Sequence, residues 1–251
     1  MSHLRGLHFN EKKPQICVQL HEETVTDLGS ATQDLMKTPF DVIQFHADQF
    51  NGIMNFSTVW NAMLIIVKES AESHLIFSCT PSNLPEYFRT ERDYANILLF
   101  AVQTCLADCV EIDSTLDEDH MDTVSERAID NGVIPIITIR LEPHTSPEKV
   151  LEKMEAIPDY MEITTFHLIE PVESQADIDA MKGAAKSFMD AHRDAHVIIE
   201  PQGPVAKQAL LAGDTFDSPL VYANYDTETK DMTTSQNLID TGIITPSRRR
   251  K

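Results

Sequence analysis

The sequence predicts an α/β chain closed into a (β/α)8 TIM barrel. Short, β-branched apolar runs alternate with amphipathic segments eight times along its 251 residues, and parallel strands need such crossovers. The runs are apolar on both faces, as strands covered on both sides are. The alternative, an open doubly wound sheet, lacks its expected Gly-x-Gly-x-x-Gly after an early strand. The length suits one large domain.

The run at 133–139, VIPIITI, sets the pattern. It is too short for a free-standing helix and reads as a buried strand. Arg140 and Glu142 follow, Pro143 stops the strand, and Thr145-Ser146-Pro147-Glu148 reads as a helix start. The remaining strands are expected at 15–20, 40–45, 75–79, 109–112, 161–169, 197–200 and 220–224. Helices are expected at 22–36, 55–71, 86–106, 123–131, 147–156, 174–191 and 203–211, with a short one near 235–239. In the second helix Phe56, Val59, Met63, Ile66 and Val67 form the expected buried face, and core packing is expected for Trp60. Gly132 is the expected C-cap before the fifth strand. Residues 1–14 read as an N-terminal arm, 15–240 as the barrel, and 241–251 as a flexible basic tail ending Arg248-Arg249-Arg250-Lys251.

A net charge of -20 argues against nucleic acid and anionic membranes as partners. No apolar run approaches the ~18 residues of a membrane span. The N-terminus lacks the long apolar stretch of a signal peptide, so a cytoplasmic protein is expected. Cys17, Cys79, Cys105 and Cys109 lack metal spacing and read as four buried free thiols. No cofactor is expected.

Barrel chemistry sits at the C-terminal ends of the strands, where every second side chain faces the axis. Those ends should place Gln19, Gln44, His46, Ser78, Thr80, Glu111 or Asp113, Thr138, Arg140, Thr165, His167, Glu200 and Gln202 at the mouth. None of the strand ends offers a lysine.

Several segments carry a resemblance. They include Pro14-Gln15-Ile16-Cys17-Val18, Asp41-Val42-Ile43-Gln44-Phe45-His46-Ala47-Asp48, Leu75-Ile76-Phe77-Ser78-Cys79-Thr80, Ser174-Gln175-Ala176-Asp177-Ile178, Leu211-Ala212-Gly213-Asp214-Thr215-Phe216-Asp217-Ser218 and Gln236. Over about residues 14–240 the chain resembles type I 3-dehydroquinate dehydratase, a shikimate-pathway enzyme with an aldolase-like barrel. The resemblance implies a homodimer and dehydration through a Schiff base on a sixth-strand lysine. His167 stands where that lysine is expected, and Arg140 where the fifth-strand general acid/base histidine is expected. Gln44-Phe45-His46 replaces a Glu-x-Arg, and Thr80 replaces a substrate-binding arginine. A second such arginine falls near Leu210, and a loop serine near Met232, while Gln236 is kept. Imidazole and guanidinium cannot form the imine, and arginine is a poor general base. The expectation is therefore a diverged member unable to dehydrate 3-dehydroquinate through an imine. Gln44, His46, Thr80, Arg140, His167 and Gln236 would then bind a small anionic or hydroxylated ligand.

Other readings stay open. His167, Arg140 and Glu200 are candidate catalytic groups for an imine-free acid/base or lyase reaction on a related cyclic hydroxy acid. Arg140 is either an anion anchor or a salt-bridge partner of Glu111, Asp113 or Glu200. His46, Glu111, His167 and Glu200 are metal-capable but have no ligand spacing, so no metal is expected. A scaffold whose mouth is plugged by ion pairs is the third possibility. Gln202-Gly203-Pro204 resembles a barrel's phosphate corner, although Pro204 removes one amide. His120 and His144 read as solvated, and His8, His21, His74, His192 and His196 show no constellation.

Overall fold

The computed structural model describes residue 9 and residues 13–70, 73–86, 90–158 and 161–245. The elements alternate as β1 (Gln15–Leu20), α1 (Val25–Leu35), β2 (Val42–His46), α2 (Phe56–Glu69), β3 (His74–Ser78) and α3 (Glu91–Gln103). Then come β4 (Cys109–Asp113), α4 (Glu118–Asp130), β5 (Ile134–Arg140), α5 (Pro147–Glu155) and β6 (Thr165–Pro171). The chain continues through α6 (Gln175–Ala191), β7 (His196–Gln202), α7 (Pro204–Leu211), β8 (Leu220–Ala223) and α8 (Ser235–Asp240).

All paired strands are parallel, in the order β7-β6-β5-β4-β3-β2-β1-β8, which is the expected barrel with one seam between β7 and β8. At that seam the Ser218 hydroxyl stands in for ladder bonds. It accepts from Ile199 N (3.0 Å) and donates to Leu220 O (2.7 Å).

Side-chain caps set most helix starts. Thr24, Thr90, Asp117 and Thr234 each accept the amide three residues on, and Asn55 accepts those of Ser57 and Thr58. Ser174 and Asp177 form a capping box at α6. Ser146 and Pro147 open α5 as expected. Gly132, with φ 69°, ends the turn after α4 in the left-handed conformation glycine tolerates best.

Two cores result. Outward strand residues such as Phe45, Phe77 and Leu168 pack under the helices with Ile66, Leu98 and Met181. Inward residues Cys17, Val42, Ile76, Cys109, Ile136, Ile198 and Leu220 fill the axis. Phe9 packs against that inner cluster, with its ring 5.8 Å from the ring of His196 at the start of β7. Ile244 is buried, so packed structure runs past α8; the basic end at 246–251 lies outside the described residues.

Several expectations need correction. Trp60 is 42% exposed and Phe56 37%, with Phe56 stacked on Phe100 rather than sunk in the core. Cys105 is exposed, because it turns the chain after α3 with φ 53°. β6 starts at Thr165, since the backbone at Glu162 is left-handed (φ 53°) and breaks the extended run. α4 starts five residues earlier than expected, at Glu118 rather than 123, on the Asp117 cap. No helix among the described residues is long and apolar enough to cross a membrane.

Candidate functional site at the barrel axis

One step up each strand from the apolar floor, the inward positions become polar. Cys17 gives way to Gln19, Val42 to Gln44, Ile76 to Ser78, Cys109 to Glu111, Ile136 to Thr138 and Ile198 to Glu200, as the two-residue period requires. β6 supplies His167 to this layer and β8 supplies Tyr222.

His167 is fully buried and lies between two buried carboxylates. Its Nδ1 is 2.8 Å from Glu111 Oε1, and its Nε2 is 3.0 Å from Glu200 Oε2, the second approach lying off the hydrogen-bond line. The Tyr222 ring stacks on the imidazole, with centroids 5.3 Å apart and planes within 6°. Glu111 Oε2 accepts from Ser78 Oγ (2.6 Å) and Gln44 Nε2 (3.0 Å). Gln44 Oε1 accepts from Gln19 Nε2 (2.9 Å) and lies 3.1 Å from His46 Nε2. Glu200 Oε1 accepts from Gln202 Nε2 at 2.9 Å.

Electrostatics fixes the charges. Burial alone would favour neutral His167, but the Glu111 charge, the hydrogen bond to Glu111 and the Glu200 carboxylate 3.0 Å away raise its pKa to about 9. Burial pushes Glu111 up, and the His167 charge with bonds from His167 and Ser78 outweighs it, leaving the carboxyl at about 2. The axis therefore holds an imidazolium between carboxylates near neutral pH. His46 stacks on His21 at 4.3 Å. Burial lowers both, His21 to about 4 with help from the His46 charge.

Arg140 resolves differently from His167. Its Nε pairs with Asp113 Oδ2 at 3.3 Å and its Nη2 donates to Thr80 Oγ1 at 2.8 Å. Its side chain is 39% exposed while that of Asp113 is buried. Asp48 holds this corner, accepting from Thr80 N (3.1 Å) and Asn83 Nδ2 (2.8 Å).

The structure thus joins Gln44, His46, His167 and Glu200 in one network, and Thr80 and Arg140 in a second. Gln236 joins neither: it is exposed and donates to Asp240 on its own helix. His120 and His144, expected to be solvated, and His192, expected to stand outside any constellation, each lie beside carboxylates. His144 sits between Asp177 (2.9 Å) and Glu173 (3.1 Å), His192 is 3.1 Å from Glu155, and His120 pairs with Asp117.

Sequence reasoning missed Tyr222 and left the partners of Ser78 and Asp48 open. Tyr222 had a signal, being two residues above the inward Leu220 on β8. Ser78 and Asp48 were visible only as polar strand-end residues; their partners depend on register.

Both ring nitrogens of His167 face carboxylates, which leaves no lone pair for a metal. Among the described residues, Glu91, Asp117 and His120 form the one group with ligand atoms mutually within 4.8 Å. They cluster at the starts of α3 and α4, not at the axis.

Comparison with known proteins places this architecture. The family model described as "Type I 3-dehydroquinase" matches residues 16–238. The chain is similar to the 3-dehydroquinate dehydratase of Salmonella typhimurium, 20% identical over 222 residues that cover 87% of each chain. In three dimensions it is similar to the type I 3-dehydroquinate dehydratase of Clostridium difficile, solved with covalently modified comenic acid. The TM-score is 0.83 at 15% identity, over 94% of each chain. The 3-dehydroquinate dehydratase of Geobacillus kaustophilus gives a TM-score of 0.82 at 14% identity, covering 94% of this chain and 93% of its own. With the family model running from β1 to α8, the chain belongs to the type I 3-dehydroquinase family.

Proposed function

We propose that this member of the family does not dehydrate 3-dehydroquinate through a Schiff base, and that a fixed ionic plug occupies its barrel axis. The observation that carries this reading is His167, fully buried between Glu111 and Glu200. An imine needs a primary amine that reaches the substrate carbonyl. No strand among the described residues carries a lysine, and the imidazole on β6 is shielded from solvent and stacked under Tyr222. As an imidazolium it has no free lone pair to act as nucleophile or base. Glu200 is likewise committed to His167 and Gln202, which weakens it as a partner in imine-free acid/base chemistry.

The test is covalent trapping. The protein is incubated with 3-dehydroquinate and sodium borohydride, and its intact mass is measured. The reading expects an unchanged mass; a reduced adduct mapped to a strand-end residue would overturn it.

A second function is compatible with the plug, and Arg140 favours it. Its half-exposed side chain puts a cation at the mouth, so a small anion is proposed to bind there. Thermal shifts of wild type and Arg140→Ala with sugar acids and phosphate decide it. Stabilisation confined to the wild type supports the anchor; equal shifts in both, or none in either, reject it.

A further inference from the structure

The sequence holds two Asn-Gly pairs, Asn51-Gly52 and Asn131-Gly132. An asparagine before glycine is a labile amide, because no Cβ on the next residue hinders attack by its backbone nitrogen. In both pairs the asparagine is exposed. They differ in the attacking amide. Gly132 N donates to Ile129 O at 3.0 Å in the turn that ends α4, and Asn131 Nδ2 donates to Arg127 O at 2.8 Å. Gly52 is half-buried, and its N–H has no hydrogen-bond partner among the described residues. The Asn51 amide is tethered to Glu23 Oε2 by an exposed contact of 3.3 Å, longer than a good hydrogen bond.

We propose that Asn51 is a site of spontaneous deamidation, and that the fold protects Asn131 from the same reaction. Gly52 N loses its proton to solvent and bonds to Asn51 Cγ, while the Cγ–Nδ2 bond breaks and that nitrogen leaves as ammonia. Water then opens the cyclic imide. Cleavage at Cγ gives an aspartate at position 51. Cleavage at the backbone carbonyl gives an isoaspartate, whose main chain runs through the former side chain. Water is the co-reactant, and nothing is oxidised or reduced. At the second pair the Gly132 amide must first give up its bond to Ile129 O, which slows the reaction there by about fivefold or more.

Packing keeps glycine at position 52. A Cβ there would stand 2.6 Å from Phe50 Cε1 and 2.7 Å from Thr58 Cγ2, and Phe50 is buried. The labile pair is therefore built into the turn between β2 and α2. That turn also ties two loops together, since Asn51 N donates to Glu23 O at 2.9 Å beside the side-chain contact. Deamidation replaces the Nδ2 donor with an acceptor facing Glu23 Oε2. The side-chain tie between the loops after β1 and β2 then becomes a repulsion between like charges. The site is independent of the catalytic reading above, since it needs neither imine nor anion at Arg140.

The test holds the full chain at mildly alkaline pH, with and without urea, and maps its peptides by mass spectrometry. In the folded protein the Asn51 peptide should gain the amide-to-acid mass, as aspartate and isoaspartate together. It should do so about fivefold or more faster than the Asn131 peptide. In urea both pairs lose their folded contacts, and the two rates should converge. Asn51→Gln lengthens the side chain and disfavours the ring, so it should remove the main acidic species that anion exchange resolves from aged wild type. An unchanged Asn51 peptide, or an Asn131 peptide that converts as fast in the folded protein, would overturn the proposal. So would a rate difference that persists in urea, which would trace it to local sequence and not to the fold.

Discussion

His167 Nδ1 lies 2.8 Å from Glu111 Oε1, and neither side chain is more than slightly accessible to water. A buried pair of this kind adds little when compared with an apolar replacement of both partners, yet breaking it strands a charge. Glu111→Ala should therefore cost on the order of 3–5 kcal/mol in denaturant unfolding. His167→Ala on top of Glu111→Ala should cost clearly less than the two single changes added together. Additive costs would show that the two groups do not form a pair.

The same geometry sets a pH dependence. His167 binds its proton more tightly folded than unfolded. Its contribution is full below the ordinary value of 6.5 and is lost as pH rises through about 9. Glu111 is shifted downward, so its contribution is full above 4.5 and is lost as pH falls through about 2. The plug stabilises most between those ordinary values. Thermal melts should fall from pH 6.5 to about pH 9.5 in the wild type and fall less in His167→Gln, which cannot titrate. Parallel curves would remove His167 from the account.

Arg140 should matter less to folding than His167. Its side chain is 39% exposed, so solvent screens the pair with Asp113. Asp113 also keeps bonds from Thr115 N and Thr115 Oγ1, so it is not left without partners. Arg140→Ala should cost about 1 kcal/mol or less. A loss comparable to that of Glu111→Ala would mean that the mouth is held together at Arg140.

Phe216 and Asp217 are consecutive left-handed residues, with φ 63° and 53°. The Phe216 side chain is buried in the core, but Asp217 offers only an exposed carboxylate 3.4 Å from Lys182. Lys182 also pairs with Asp214 at 2.9 Å. Asp217→Gly should therefore stabilise the fold by about 1 kcal/mol, because the left-handed penalty exceeds the worth of one exposed ion pair. A drop in the denaturation midpoint would show that the carboxylate matters more than the backbone.

The barrel was legible because β-branched runs such as Ile134–Arg140 alternate with capped amphipathic helices, a signal local to each segment. Element edges were less legible. Glu162 looks like strand in an alternating run, and only its positive φ shows the turn. Inward parity put His167 and Glu200 at the mouth and left Glu111 and Asp113 as alternatives, since the two-residue period alone does not say where the fourth strand begins; the structure brings Glu111 to His167. Partner choice for Arg140 was left among three acids, because selecting Asp113 needs the β4–β5 register that pairs Asp113 with Thr138. Gln236 carried a family signal but no geometric one, and on α8 it faces solvent.

The claim that a charged imidazole plugs the barrel is tested most directly by following His167 with 15N NMR across a pH titration. The account predicts two protonated ring nitrogens at neutral pH and a midpoint near 9. A neutral His167 ring at pH 7, with a midpoint at or below its ordinary value of 6.5, would contradict it.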